Sequence, residues 1–355
     1  MRMSSSSLSS SQWVRVVAGV VLTLAFLTWA LRGMSPASVW GAFVMAEPGW
    51  LGLSALSLLA SASLRARRWG TLLGGTCNPA SFGIRQSAVF IGCAGNCLLP
   101  AHAGELVRGL VLQRRGGVPL GLGLGSIFAE RILDVIVLLA FLLISFIPGH
   151  GNESGSRGFD AWRFGWIGVA LVVVCGGILV VVSQSERIAC RVEKICVGLG
   201  FGRFSPHIAN SVRALIAGLG VLRSPARAVT ALVETVLIVG LSVVTFWTAM
   251  LAFGITSPGF SGALLTQSVT TLGMAIPSAP GYVGTFEAAI RFSLELYRVS
   301  PDVIIAYALT LHALIFVTLI MVGGVLAICM GLSWSDLAAP PSPIPAQPTE
   351  QKAAA

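Results

Sequence analysis

From Leu120 to Ile147 the chain reads LGLGLGSIFAERILDVIVLLAFLLISFI, a run in which Glu130, Arg131 and Asp134 are the only charges. As a helix rising 1.5 Å per residue it would be about 42 Å long, enough to cross a hydrocarbon core of about 30 Å. Apolar runs of the same character recur at Val14 to Leu31, at Trp50 to Leu64 with an earlier start near Val39, and at Trp166 to Val182, Val229 to Phe253 and Val303 to Met330. A chain that is 55% hydrophobic, 10% charged and has a mean hydropathy of +0.85 carries more apolar surface than one soluble core can hide. The pattern predicts an all-α polytopic membrane protein.

No polar block is long enough to add a catalytic domain. The longest charged interval, residues 183–228, is itself apolar at helical spacing: Ile188, Val192, Ile195 and Leu199 form one stripe, and Ile208, Val212, Leu215, Leu219 and Leu222 a second. Two amphipathic helices lying on the inner leaflet fit these stripes. One membrane domain is therefore expected over residues 13–332, between a polar, serine-rich lead at 1–12 and a disordered Pro- and Ala-rich tail at 333–355.

The net charge of +9 comes from 23 basic residues, of which only Lys194 and Lys352 are lysines, and most of them sit beside the ends of apolar runs. That placement is a topology signal and not the footprint of a nucleic-acid partner. Arg65, Arg67, Arg68, Arg85, Arg114 and Arg115 assign their side to the cytoplasm, as do Arg187, Arg191, Lys194, Arg203, Arg213, Arg223 and Arg227 against Glu186 and Glu193. Both termini are then cytoplasmic. The seven cysteines are odd in number and lie mostly in or beside apolar stretches, and Cys93 and Cys97, one turn apart, lack further ligands nearby. They read as packing residues, with no metal and no cofactor expected.

Two apolar stretches are too short to span. Ser87 to Leu99 reaches only about 20 Å as a helix, and it lies between arginines assigned to one side. It reads as a re-entrant arm from the inner side. Gly262 to Ile276 stops at PSAPGYVGTFE and is followed by a short helix from Gly284 to Tyr297, which reads as a second arm entering from outside. The architecture expected is thus about six full spans plus two oppositely oriented re-entrant hairpins, about eight membrane segments arranged as an inverted repeat. The hairpins share a pattern: PAHAGELVR (Pro100 to Arg108) and PGYVGTFEAAIR (Pro280 to Arg291) each place a proline, a glycine four residues on, then Glu and Arg at helical spacing. Short half-helices of this kind direct unpaired N–H groups and positive dipole ends into the protein, where a phosphate or carboxylate is accommodated.

Each charge near the middle of a spanning helix disfavours insertion by about 2.5 to 3.5 kcal/mol, so Glu130, Arg131 and Asp134 facing lipid would cost about 8 kcal/mol together. They must face the interior, water or one another. Two compatible readings follow: a buried ion network that staples the helix to Arg108 or Arg291, or a polar path for a charged headgroup along Arg108, Arg131 and Arg291. Glu287 has its own bland alternative, an i,i+4 ladder with Arg291 and Glu295. Glu234 and His312 read as single core hydrogen-bonders.

In their order along the chain, NCLLPAHAGELVRG, AERILD and PSAPGYVGTFEAAI resemble the three landmarks of the lysylphosphatidylglycerol synthase transmembrane family of flippase-like membrane proteins. That family includes the lipid-translocating half of bacterial multiple peptide resistance factor. The resemblance implies movement of a lipid with an anionic or polar headgroup, phospholipid or polyprenyl-phosphate-linked, between leaflets of the bacterial cytoplasmic membrane. The alternative, from a different class, is a membrane accessory or scaffold that binds a lipid-linked intermediate for a partner envelope glycosyltransferase or lipid-modifying enzyme. The residues the resemblance marks are Pro100, Gly104, Glu105 and Arg108; Glu130, Arg131 and Asp134; and Pro280, Gly281, Gly284 and Glu287; the expected headgroup path also takes in Asn96, His102 and Arg291. His102 departs from the family, which commonly has arginine there, and puts a titrating group in place of a fixed charge. The soluble aminoacyl-transferase domain of the fused enzymes is missing, and His102, His150, His207 and His312 lie far apart with no metal-binding or nucleophile-base spacing. The chain is therefore expected to bind and move lipid, and not to act as an enzyme.

Overall fold

Prolines open four of the helices, at Pro36, Pro48, Pro225 and Pro301, where the missing N–H costs nothing and the fixed φ favours the first turn. A computed structural model describes residues 36–74, 80–99, 102–145, 169, 173, 176–177, 224–275 and 280–332. Within them the chain forms α1 (Pro36–Val44), α2 (Pro48–Leu73), α3 (Phe82–Leu98), α4 (Ala103–Gly116), α5 (Leu120–Ser145), α6 (Pro225–Ala252), α7 (Gly259–Gly273), a 3-10 turn (Pro280–Tyr282), α8 (Thr285–Glu295) and α9 (Pro301–Cys329). No strand occurs among the described residues. The expectations for the polar lead, the first span, most of the return span 166–182, the inner-leaflet helices up to residue 223 and the tail concern residues outside those described, as does the one for Pro100.

The described part is an all-α membrane protein. α6 and α9, of 28 and 29 residues, are long and apolar enough to cross a bilayer. Their outer faces expose Val229, Val233 and Leu237, and Val317, Met321, Val325 and Ile328, stripes that suit lipid and not water. α5, of 26 residues, has the same reach with three charges near its middle. α3 and α4, of 17 and 14 residues, are about 26 and 21 Å long; the first ends at Leu98 and the second begins at Ala103. Helix α3 begins five residues before the expected Ser87, because the Ser81 hydroxyl accepts the Ile84 N–H and caps it.

One expected boundary moves substantially. The second span was expected to end near Leu64, with RARRW beyond it. Instead α2 continues to Leu73, and Arg68 and Trp69 are fully buried. Arg68 therefore leaves the topology count.

Small polar residues join α2 to α6. Ser54, Ser57 and Ser61 donate to the carbonyls of Thr245 (2.8 Å), Leu241 (2.7 Å) and Ile238 (3.2 Å), satisfying hydroxyls that lipid could not. Two apolar cores flank this seam. One packs Trp69, Leu73, Val89, Val111, Leu112 and Ile127; the other packs Val243, Phe246, Met250, Phe286, Ile304 and Tyr307. Helix α9 bridges them, crossing α3 so closely that a Cβ on Gly323 would sit 2.6 Å from the Phe90 carbonyl oxygen.

Candidate functional site

Six ionised side chains from α2, α4 and α5 close a ring in which the sign of charge alternates. Going round it, Arg131 lies 3.2 Å from Glu105, Glu105 3.9 Å from Arg108, Arg108 2.7 Å from Glu130, Glu130 3.6 Å from Arg68, Arg68 2.5 Å from Asp134, and Asp134 3.6 Å from Arg131. The bond from Arg108 to Glu130 is bidentate, its second N–H donating at 2.9 Å. Three cations against three anions leave no net charge. That balance is what allows Arg68 and Glu130, each 0% exposed, to reside inside a membrane domain.

Local sequence explains how the ring is built. In α5 the i,i+4 spacing puts Glu130 and Asp134 on one face, and Arg131 folds back to Asp134 at i+3. In α4 the i,i+3 spacing does the same for Glu105 and Arg108. The third arm needs α4 to lie almost against α3. Glycine permits this, since a Cβ on Gly104 would meet the Gly92 carbonyl oxygen at 2.0 Å and the Asn96 nitrogen at 2.4 Å. The Arg108 guanidinium then stacks 3.8 Å over the Trp69 ring, whose N–H donates to the Ser126 hydroxyl at 2.7 Å. From α6, the Thr235 hydroxyl accepts from Arg68 at 2.9 Å.

The ring is not equally buried all round. Side-chain exposure rises from 0% at Arg68 and Glu130 through 4% at Arg108 and 9% at Asp134 to 22% at Glu105 and 44% at Arg131. One edge, Glu105 and Arg131, is open. Several buried polar atoms in and beside the ring have no hydrogen-bond partner: Nε and Nη2 of Arg68, Nε of Arg108, Oε2 of Glu105 and Oδ1 of Asn96.

The tips of the two hairpins meet. Nδ1 of His102, in the α3–α4 break, lies 2.9 Å from the hydroxyl of Tyr282, in the α7–α8 break. Both residues have left-handed backbone, φ 55° and 60°, an unusual conformation for bulky side chains that turns them toward each other. Tyr282 also lies within electrostatic reach of Glu105 and Arg131.

The second hairpin gathers its residues around His312 of α9. Oε2 of Glu287 accepts the Gly284 N–H at 2.7 Å and Oε1 lies 2.6 Å from His312 Nδ1, while Nε2 of the same ring lies 2.9 Å from the Gly281 carbonyl oxygen. Gly281 and Gly284 have φ of 79° and 87°, and a Cβ at Gly281 would strike the Phe316 ring at 2.6 Å. Of the expected ladder the rung from Arg291 to Glu295 forms (2.6 Å), while Glu287 turns back to cap its own helix.

The structure thus unites Glu105, Arg108, Glu130, Arg131 and Asp134 in one ring, with Asn96 and Gly104 at the helix crossing beside it. It places His102 at the tip contact and assigns Gly281, Gly284 and Glu287 to a second cluster, Pro280 opening the turn between them. Sequence reasoning missed Arg68 in the ring, Trp69 and Thr235 against it, and Tyr282 at the tip. The signal available for the first two was the position of RARRW in register with the α2 helix. Glu234, expected as a lone core residue, is held by Arg67 at 3.3 Å and Thr71 at 2.9 Å.

A family profile described as the lysylphosphatidylglycerol synthase TM region matches residues 16–323. The chain is 25% identical over 332 residues to the glycosyltransferase AglD of Haloferax volcanii, an alignment covering 84% of this chain and 52% of that protein. It therefore spans about half the length of that relative. It is 22% identical over 237 residues to the UPF0104 membrane protein MJ1078 of Methanocaldococcus jannaschii, covering 65% of this chain and 92% of the other.

Proposed function

We propose that this chain, which belongs to the lysylphosphatidylglycerol synthase TM-region family, carries the headgroup of an anionic or polar lipid between leaflets of a cytoplasmic membrane and catalyses no covalent step. The observation that carries this reading is the exposure gradient of the charge ring. A pure staple would bury all six members; here the closed part, Arg68, Arg108, Glu130 and Asp134, holds the helices together, while the Glu105–Arg131 edge stays accessible.

A phosphate arriving at Arg131 competes with Glu105 and Asp134 for its guanidinium, and each carboxylate keeps a second cation when it yields, Arg108 for Glu105 and Arg68 for Asp134. Such an exchange suits passage, since the headgroup is held without being trapped. In this reading the hairpins enter the membrane from opposite sides, both termini are cytoplasmic, and their touching tips divide the two access routes. Acyl chains stay in lipid along the apolar outer faces of α6 and α9.

Leaflet exchange in reconstituted vesicles tests the proposal, with fluorescent phosphatidylglycerol, phosphatidylethanolamine and a polyprenyl phosphate as probes. The wild-type protein should accelerate at least one of them, and Arg131→Gln should slow it about tenfold, as loss of about 1.4 kcal/mol of barrier lowering would. No acceleration over protein-free vesicles for any probe contradicts the proposal.

A second reading is favoured by the relative named as a glycosyltransferase, in which this kind of membrane region occupies only part of the chain. Here the protein holds a lipid-linked intermediate for a partner enzyme. Lipid would then bind without exchanging, and neutralising Arg187, Arg191 and Lys194 would abolish recovery of the partner while leaving lipid binding intact.

A further inference from the structure

His312 lies between two acceptors. Its Nε2 faces the Gly281 carbonyl at 2.9 Å, and a carbonyl oxygen only accepts, so Nε2 carries a hydrogen. Its Nδ1 faces Oε1 of Glu287 at 2.6 Å, a distance at which two lone pairs repel, so a second hydrogen lies between them. Ring and carboxyl therefore share two protons, one more than a neutral imidazole beside a carboxylate. The count is the same whether the pair is written as imidazolium and carboxylate or as imidazole and carboxylic acid.

The site is built to keep that proton from water. Glu287 is 1% exposed and His312 8%, and the ring is stacked on Phe286 with Phe316 edge-on. The remaining oxygen of Glu287 is taken by the Gly284 N–H. Few other ionisable groups bear on the pair. On its own helix, Arg291 is paired with Glu295, and Tyr307 of α9 gives its hydroxyl to the Phe246 carbonyl. Around Tyr282, at the tip contact, lie His102, Cys93 and Cys97 of α3, and Glu105 and Arg131 of the charge ring. α7 has no ionisable residue.

We propose that Glu287 and His312 form a proton-binding site whose occupancy latches the tip of the second hairpin and, through Tyr282 and His102, the contact between the hairpins. When the proton leaves to water, the Nδ1 lone pair confronts a carboxylate oxygen, and one partner must move away. Movement of Glu287 uncaps α8 at Gly284; movement of His312 releases the Gly281 carbonyl. Tyr282 stands between those two glycines, so either movement withdraws its hydroxyl from His102. The proposal goes beyond the lipid reading, because neither the proton count nor the latch requires a lipid.

The test uses the full chain in phosphatidylglycerol–phosphatidylethanolamine nanodiscs from pH 5 to 10, labelled with nitrogen-15 at histidine. Ring-nitrogen resonances, with His312→Gln for assignment, and the infrared carboxylic-acid band, with Glu287→Gln for assignment, together count the protons on the pair. Hydrogen exchange of the amides at 281–288, corrected for its intrinsic pH dependence, reports the latch. The expected result is a pair holding two protons at the acid end and losing one as pH rises, with protection of those amides falling at least tenfold in the same step. In Glu287→Gln the side-chain amide donates to a neutral ring, so protection should persist and the step should vanish. The proposal is overturned by a pair that holds a single proton throughout the range. It is equally overturned by a proton that leaves with no change in protection at 281–288, or by Glu287→Gln retaining the wild-type step.

Discussion

Glu130 answers two arginines from two other helices, Arg108 on α4 and Arg68 on α2, and it does so at 0% exposure. Glu130→Gln leaves both under-neutralised, and breaking such a buried arrangement costs about 3 to 5 kcal/mol. Heating detergent-solubilised protein and measuring the monodisperse fraction should show that loss directly. Arg131, with 44% of its side chain exposed, should behave oppositely: Arg131→Gln should cost less than about 1 kcal/mol of stability while impairing lipid exchange. Equal destabilisation by the two substitutions would remove the distinction between staple and edge. Part of this was legible in sequence, because AERILD places its charges one turn apart within an apolar run and obliges them to find partners. Arg68 was not. An arginine at the end of an apolar run ordinarily marks a boundary, and the local sequence does not reveal that Asp134, on a different helix, neutralises it.

At the scale of elements, the α3–α4 crossing rests on glycine. Gly104→Ala drives a methyl into backbone atoms of Gly92 and Asn96, which cannot turn aside as a side-chain end would, so the helices must separate and carry Arg108 with them. An overpacking cost of at least about 1 to 3 kcal/mol is expected. Gly240→Ala in α6, where nothing lies within 4 Å of the added carbon, should be neutral or stabilise by up to about 1 kcal/mol. Thermal unfolding of both variants checks the contrast; similar losses at the two positions would mean that the close crossing does not matter. The ends of α5 and α9 were readable within a few residues because apolar length and flanking turns agree. The course of Glu287 was not readable: helical spacing favours a ladder to Arg291, whereas the left-handed Gly284 before α8 lets Glu287 fold back to cap the helix and meet His312, a residue whose spatial neighbour no local pattern discloses.

For the whole molecule, the arrangement separates two kinds of polar work. The charge ring joins α2, α4 and α5 on one side, the Glu287–His312 pair holds the second hairpin to α9 on the other, and the His102–Tyr282 contact is where the two hairpins touch. The recurrent pattern of proline, glycine, glutamate and arginine marks both breaks between helices, but it does not disclose that the first spends its glutamate and arginine on a ring and the second its glutamate on a histidine. Those fates depend on which long helix passes each hairpin, and that is decided by packing far along the chain. The most direct test of the account is a density map of the protein in anionic-lipid nanodiscs, compared with Arg131→Gln. The account predicts a lipid phosphate within hydrogen-bond distance of the Arg131 guanidinium at the open edge of the ring, absent from the variant. Arg131 bonded only to Glu105 and Asp134, with headgroups confined to the periphery in both maps, would contradict it.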